Sequence, residues 1–168
     1  TYDQGRDLVD IRQMVLSHTP RLVGPTTSLN GLLLGPFYYY FILTPYLLFD
    51  GSPMAIVIWQ ILWYQLSALI LWFALKRKSL SSANITGIIL SFLPVGFYTS
   101  RFFWNANMVP IFALLFMTVL VSTLEHKTKK NGFLLGLSSG ICLQIEAAFG
   151  VLVFPFTLIY LLFIKFPW

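Results

Sequence analysis

The strongest constraint on this chain is a run of 22 residues, 54–75, that contains no charged side chain. A helix of that length rises about 33 Å at ~1.5 Å per residue, enough to cross a hydrocarbon core of ~30 Å. The basic triplet Lys76-Arg77-Lys78 follows the run at once. Further apolar runs follow at 84–100, 107–124 and 132–164. The chain is therefore predicted to cross a membrane several times.

The composition supports the same protein class. Apolar residues make up 57% of the 168 residues and charged residues only 10%, against roughly 45–50% and about 25% in soluble domains. So few charges cannot cover a soluble globule, which excludes a soluble domain, a disordered chain and a nucleic-acid-binding module. The net charge of +5 is attributed to membrane topology rather than to a nucleic-acid partner. The single cysteine, Cys142, excludes an internal disulfide and a cysteine-based metal cluster.

The spans and their orientation follow from length and charge. The run 132–164 would form a helix of about 50 Å, too long for one crossing, and Gly150 and Pro155 predict a break near 149–151. With Lys76-Arg77-Lys78 inside, seven basic residues lie inside and four outside, as the positive-inside rule requires. Residues 1–50 then lie on the outer face. The five predicted spans are 54–75, 84–100, 107–124, 132–149 and 151–165.

The outer segment is predicted to be helical and to lie on the membrane. Residues 3–17 have the pattern of an amphipathic helix. Residues 33–49 are interpreted as a juxtamembrane element, because Pro36 and Pro45 interrupt them and Tyr38-Tyr39-Tyr40 suits the headgroup belt. The alternative is a true span at 33–49, which would place the N-terminus on the other side. The predicted fold class is an all-α polytopic membrane protein with an outer-face juxtamembrane helical loop.

The ends of the chain suggest a piece of a longer protein. It begins with Thr1 rather than Met and stops at Trp168 directly after an apolar segment. We expect an internal fragment whose first hydrophobic helix precedes Thr1.

Three aspartates of the outer segment share one helical face. Asp3, Asp7 and Asp10 are spaced i, i+4, i+7, with Arg6 beside them. Like charges at this spacing repel by a few tenths of a kcal/mol. Arg6, a metal ion or a cationic substrate would offset that repulsion. The alternative is a solvated polar face on a surface helix.

Two more ionisable residues are candidates for function. Glu146 lies in an apolar segment, where a charge costs about 2.5–3.5 kcal/mol, so it is predicted to face a cavity; the alternative is a protonated or snorkelling side chain. Arg101 stands at the outer boundary near Trp104, where its guanidinium either binds a phosphate or anchors the interface. The stripe Gly132, Gly136 and Gly140 is interpreted as a helix-packing surface.

The order of these motifs resembles the N-terminal third of the GT-C glycosyltransferases. The branch it is most similar to is that of the dolichyl-phosphate-mannose protein mannosyltransferases (glycosyltransferase family 39), which includes the aminoarabinose transferases of lipid A. The motifs are Tyr2-Asp3-Gln4-Gly5-Arg6-Asp7, Gly35-Pro36-Phe37-Tyr38-Tyr39-Tyr40, Tyr98-Thr99-Ser100-Arg101, Trp104-Asn105-Ala106-Asn107 and Gln144-Ile145-Glu146.

The resemblance implies an activity and a set of roles. A sugar would pass, with inversion, from a polyprenyl-phosphate donor to a hydroxyl of a protein, lipid or glycan acceptor at the outer face. Asp3 matches the acid of the first outer loop, as general base or acceptor-orienting group. Gln4 stands where the family often has a second acid, so the carboxylate pair is absent. The implied substrate-binding residues are Gln4, Arg6, Asp7, Arg101 and Glu146.

The remaining expectations concern the lipid phosphate, the cofactor, the membrane and the alternative protein class. The lipid phosphate would be neutralised by Arg101, by Arg21 or by a basic residue beyond Trp168, and a divalent cation is a possible cofactor. The expected location is the bacterial inner membrane, with the endoplasmic reticulum second. The fragment alone is expected to be inactive. The alternative class is a non-enzymatic membrane protein, either half of a transporter or a subunit that only binds lipid-linked sugar.

Overall fold

A computed structural model of the chain describes residues 2–27, 31, 33–92 and 101–163. Within these residues the chain forms seven α-helices and one 3-10 turn at Asn105–Met108. The helices are α1 (Tyr2–Ser17), α2 (Phe37–Leu48), α3 (Pro53–Lys76), α4 (Leu80–Phe92), α5 (Val109–Glu125), α6 (Lys129–Ile145) and α7 (Ala147–Phe163).

The helices are those of a membrane protein, which confirms the predicted all-helical class. Helix α3 and the continuous segment Asn105–Glu125 are long and apolar enough to span a bilayer, while Leu80–Ser91 and α7 are shorter apolar helices. Large apolar side chains point outward along α3, α4 and α7, as a lipid-facing surface requires. Examples are Leu62, Leu69, Phe73, Ile85, Ile88, Phe156 and Phe163. Five crossings stay a prediction, since part of the span 84–100 and the end of the span 151–165 lie outside the described residues.

The break predicted near 149–151 is wrong, because the chain bends at Glu146. The Glu146 backbone is extended, with φ −148° and ψ 113°, and its N–H still caps α6 by donating to the Cys142 carbonyl at 3.2 Å. Pro155 lies inside α7 without ending it. Gly150 lies at a close helix crossing, since a Cβ there would collide with Leu143 Cα. The glycine therefore marks where α7 packs back on α6, one turn after the bend.

Two of the three glycines in the predicted stripe of α6 do not pack against another helix in the part of the chain that the structure describes, whereas Gly132 is buried. A Cβ added at Gly136 or Gly140 would meet no atom within 4 Å. The close approach of helices is instead at Gly150, on the partner helix.

Helix α2 has 12 residues and so a length of about 18 Å, which is short of the ~30 Å of a hydrocarbon core. This length suits a juxtamembrane helix. Its tyrosines differ from the predicted headgroup belt: Tyr38 and Tyr39 are buried, and only Tyr40 is exposed. The reason is that the two buried hydroxyls bind carboxylates of α1.

The core joins α2 to the transmembrane helices. Ile42, Ile56, Ile111 and Leu135 are fully buried and come from four different helices. An aromatic cluster packs beside them, formed by Phe37, Phe41, Trp59, Trp63 and Phe112.

Just before α2, the backbone of Gly35 is packed against the side chain of Gln144 near the end of α6. The Gly24 N–H donates to the Leu34 carbonyl at 2.9 Å, and the Leu34 N–H donates to the Pro25 carbonyl at 3.1 Å. The loop between α1 and α2 is thereby held beside the bend at Glu146.

Gly150→Ala should lower the free energy of unfolding by about 1–3 kcal/mol, because the added methyl group overpacks the crossing with Leu143. Gly140→Ala is the matched control, since its methyl group enters open space and alanine is the better helix former by ~0.5–1 kcal/mol. Thermal unfolding of the full-length protein in detergent would measure both. Equal melting temperatures for the two variants would contradict the close crossing.

Candidate active site

A polar cleft of about 580 Å³ opens where α1, the α1–α2 loop, the 3-10 turn and the α6–α7 bend meet. It presents two carboxylates, one guanidinium, one amide, two hydroxyls and an indole ring. The described lining residues are Asp3, Arg6, Thr26, Thr27, Leu34, Trp104, Asn105, Ala106 and Glu146.

Arg6 connects the cleft to the buried side of α1. Its Nη1 lies 3.1 Å from Asp3 Oδ1 and donates to Thr26 Oγ1 at 3.4 Å. Its Nε and Nη2 both donate to Asp7 Oδ1, at 3.0 and 2.8 Å. Burial alone would lower the pKa of Arg6, but the hydrogen bonds and negative charge of Asp7, with the charge of Asp3, raise it. Arg6 therefore stays cationic.

Asp7 lies behind Arg6 and is fully buried, so it is not part of a solvated polar face. Its Oδ2 accepts a hydrogen bond from the Tyr38 hydroxyl at 2.9 Å. Burial raises the pKa of Asp7 above its ordinary value, against the opposing effects of Arg6 and Tyr38. Burial also raises the pKa of Tyr38 well above its ordinary value, and the charge of Asp7 adds to this, so the phenol remains a donor.

Asp10 has an equivalent set of partners one turn further along α1. Arg21 Nη2 donates to Asp10 Oδ1 at 2.7 Å, and the Tyr39 hydroxyl donates to Asp10 Oδ2 at 2.7 Å. The Arg21 guanidinium also lies 5.5 Å from the centre of the Tyr39 ring. Two arginines and two tyrosines thus offset the repulsion among the aspartates. Arg21 is engaged with Asp10 and is not among the described lining residues of the cleft.

Glu146 is fixed at the bend between α6 and α7. The buried amide of Asn105 donates from Nδ2 to Glu146 Oε2 at 3.1 Å and to the Ile145 carbonyl at 3.2 Å. Asn107 Nδ2 donates to the Phe102 carbonyl at 2.9 Å and so holds the preceding loop. The Glu146 carboxylate is therefore held at the rim of the cleft by a neighbouring segment and has no cationic partner among the described ion pairs.

Comparison with known proteins identifies the family. Residues 34–167 match the dolichyl-phosphate-mannose-protein mannosyltransferases. The chain belongs to this family. These proteins are membrane glycosyltransferases of the GT-C type, as the motif order predicted. Neither a curated protein nor a solved structure gives a significant match.

The family match covers Tyr38, Trp104, Asn105 and Glu146, whereas α1 precedes the matched range. Of the mannosyltransferase-like site predicted from sequence, the structure brings Asp3, Arg6 and Glu146 into one cleft. Gln4, Asp7 and Arg101 are not among the described lining residues.

Asn105 was missed as a site residue, although it stands inside a motif that carries the family resemblance. The sequence feature that could have identified Asn105 is its position directly after Trp104, an interfacial tryptophan. Its partner Glu146 could not be inferred, because the two residues are far apart in the chain. Among the described residues, no group of three or more His, Cys, Asp or Glu side chains could hold a metal ion.

Asp7→Asn should change how stability depends on pH. Because the pKa of Asp7 is higher in the folded chain than its ordinary value of 3.8, the folded state holds the proton more tightly than the unfolded state. Its contribution is fully present below pH 3.8 and is lost as pH rises through the folded pKa. The stability of the unaltered protein relative to Asp7→Asn should therefore fall from about pH 4 upward.

Thermal unfolding of the two full-length proteins between about pH 3.5 and 7 measures this difference. Asp50→Asn, on the turn after α2, is the control for a general effect of lost charge. A relative stability that rises with pH would mean that Asp7 is stabilised chiefly as the anion.

Proposed function

We propose that the cleft transfers a sugar from a polyprenyl-phosphate donor to a hydroxyl of a protein, lipid or glycan acceptor. The observation that carries the proposal is the convergence of Asp3, Arg6 and Glu146, from opposite ends of the chain, on one cleft in a glycosyltransferase family member. The three side chains offer a base, a cation and a hydrogen-bond acceptor for a sugar.

Asp3 is assigned the proton transfer. Its side chain is 42% exposed, in the first turn of α1, and its Oδ1 lies 3.1 Å from Arg6. As the acceptor oxygen bonds to the anomeric carbon, Asp3 takes the hydroxyl proton. The bond from the anomeric carbon to the phosphate oxygen breaks, and the lipid phosphate leaves with the electron pair. Attack from the face opposite the phosphate inverts the anomeric centre. A positioned base contributes typically 10²–10⁴-fold.

Arg6 is assigned the charge that develops on the leaving phosphate. It is the cation among the described lining residues. Because its Nε and Nη2 are bound to Asp7, its Nη1 is the nitrogen that offers the phosphate a charge-assisted hydrogen bond. Arg101 stands three residues before Trp104 of the cleft, and we assign it a second contact with the same phosphate. Gln4, beside Asp3 on α1, is assigned a contact with the acceptor.

Glu146 and Trp104 are assigned the sugar. The Glu146 carboxylate accepts hydrogen bonds from sugar hydroxyls while Asn105 holds it in place. Trp104 is 38% exposed at the cleft, which leaves part of its indole ring for the apolar face of a pyranose. Pockets that combine an aromatic surface with a few fixed polar groups are typical of small-molecule sites.

The outer face is supported by the placement of the cleft relative to the basic loops. The continuous helical segment Asn105–Glu125 begins in the cleft, and at its other end the Glu125 carboxylate lies 3.5 Å from Lys78 Nζ. The basic loops after α3 and α5 therefore meet at the opposite end of the bundle. Because basic loops stay in the cytoplasm, the cleft faces the periplasm or lumen. We propose the bacterial inner membrane first and the endoplasmic reticulum second.

The cleft also favours an enzyme over a transporter. Transporter sites lie near the bilayer midplane, between broken helices, whereas this cleft is formed by helix ends and a loop at one end of the bundle. A protein that only binds lipid-linked sugar would have the same cleft, and the transfer assay separates it from the enzyme.

Asp3→Asn should lower the rate of sugar transfer by about 10²–10⁴-fold, because asparagine keeps the size of the side chain but cannot take the proton. The assay uses the full-length protein in membrane vesicles with polyprenyl-phosphate sugars as donors. Asp50→Asn makes the same chemical change away from the cleft and should keep the rate. Full activity of Asp3→Asn at equal protein level would exclude Asp3 as the base. Donor binding without transfer by the unaltered protein would favour the binding subunit.

A divalent cation in this cleft would be held by Glu146, the lining carboxylate that takes part in none of the described ion pairs, and would add positive charge to neutralise the donor phosphate. Transfer should then stop in EDTA and return with Mg²⁺ or Mn²⁺. Transfer that continues unchanged in EDTA would assign the neutralisation of the phosphate to the arginines alone.

A further inference from the structure

We infer that Asp7 and Tyr38 are positioning residues that fix the orientation of Arg6 in the cleft and, through Arg6, the carboxylate of Asp3. The inference rests on the proposed function, because it concerns the geometry of the same cleft. It assigns a role in transfer to two buried side chains that no substrate touches.

The first argument is that one edge of the Arg6 guanidinium faces the buried Asp7 carboxylate and its remaining nitrogen faces the cleft. The Nε and Nη2 edge donates twice to the buried Asp7 carboxylate, at 3.0 and 2.8 Å. The remaining nitrogen, Nη1, meets Asp3 and Thr26 in the cleft. A planar guanidinium cannot turn one edge without turning the other, so the buried edge determines where Nη1 points.

The second argument is that Asp7 is itself held from behind. Tyr38 is fully buried in the first turn of α2, and its hydroxyl donates to Asp7 Oδ2 at 2.9 Å. The two oxygens of Asp7 thus have different partners, Arg6 on one side and Tyr38 on the other, and the plane of the carboxylate is fixed. Without the hydroxyl the carboxylate can rotate, and the guanidinium turns with it.

The third argument is a comparison with a second set of residues, Asp10, Arg21 and Tyr39. This comparison distinguishes a role in positioning Arg6 from a role that only attaches α1 to α2. Asp10, Arg21 and Tyr39 repeat the same three residue types and the same kinds of hydrogen bond, at 2.7 Å each. This second set also joins α1 to α2. The two sets differ in their arginine, because Arg6 is among the described lining residues of the cleft and Arg21 is not. If both sets are purely structural, substitutions in either set should change the rate of sugar transfer equally. If the first set positions Arg6, only substitutions in the first set should change that rate.

The experiment compares Tyr38→Phe with Tyr39→Phe in the full-length protein, in vesicles with polyprenyl-phosphate sugars as donors. Each substitution removes one hydroxyl that binds one aspartate. We expect Tyr38→Phe to lower kcat on the order of tenfold, since small misplacements of reacting groups are costly, with the donor KM little changed. Tyr39→Phe should keep kcat within about twofold, while thermal unfolding should shift to a similar extent in both variants. Equal losses of kcat in both variants would overturn the inference.

A second measurement does not depend on transfer. Modification of Asp3 by a water-soluble carbodiimide, quantified by mass spectrometry, reports whether its carboxylate is still paired with Arg6. Labelling should rise in Tyr38→Phe and stay at the unaltered level in Tyr39→Phe. Equal labelling in both overturns the inference even where the protein transfers sugar. If the unaltered protein transfers no sugar, the proposed function fails, and labelling alone decides whether Tyr38 positions Arg6 against Asp3.

Asp7→Asn and Asp10→Asn form a second pair of variants for the same two measurements, should a phenylalanine variant fail to fold.

Discussion

The ion pair between Arg6 and the buried Asp7 is the interaction on which the cleft depends. Removing a carboxylate from water costs several kcal/mol unless charge and hydrogen bonds replace the lost hydration. Here two guanidinium donors and one phenol supply part of that replacement, and the remaining cost of burial keeps the pKa of Asp7 above its ordinary value. Since the phenol belongs to α2, the carboxylate can be buried only when α1 and α2 are docked. The carboxylate that Tyr38 joins to α2 also binds Arg6 and leaves one guanidinium nitrogen, Nη1, facing the cleft.

The rest of the cleft is assembled by short contacts between segments far apart in the chain. The backbone at Gly35 packs on the side chain of Gln144, which sets the start of α2 against the end of α6. Asn105 then ties the start of the Asn105–Glu125 segment to the bend at Glu146. The polar groups are therefore held by rigid helix ends rather than by the loop alone. Such support is what a site for an oriented transfer reaction needs.

The sequence was sufficient where a property is local, and insufficient where it depends on a partner. A charge-free run predicts its own helix, and α3 follows the predicted span 54–75 to within a residue at each end. Glu146 was identified because a charged group in an apolar segment is costly wherever its partner lies, whereas Asp3 and Arg6 were identified through the resemblance of their motif to the family. The burial of Asp7 and the position of the bend, at Glu146 rather than near 149–151, could not be foreseen. The first depends on a tyrosine 31 residues away, and the second on an amide 41 residues away.

The two neighbouring ties between α1 and α2 also fix the register of α1. Asp7 and Asp10 are three residues apart and bind the adjacent tyrosines Tyr38 and Tyr39. If α1 slid by three residues in either direction, about 4.5 Å along its axis, one tyrosine would face a neutral amide. The residues that would arrive are Gln4 in one direction and Gln13 in the other. The chain thus has one alignment in which both phenols meet a carboxylate, and in that alignment Arg6 reaches the cleft.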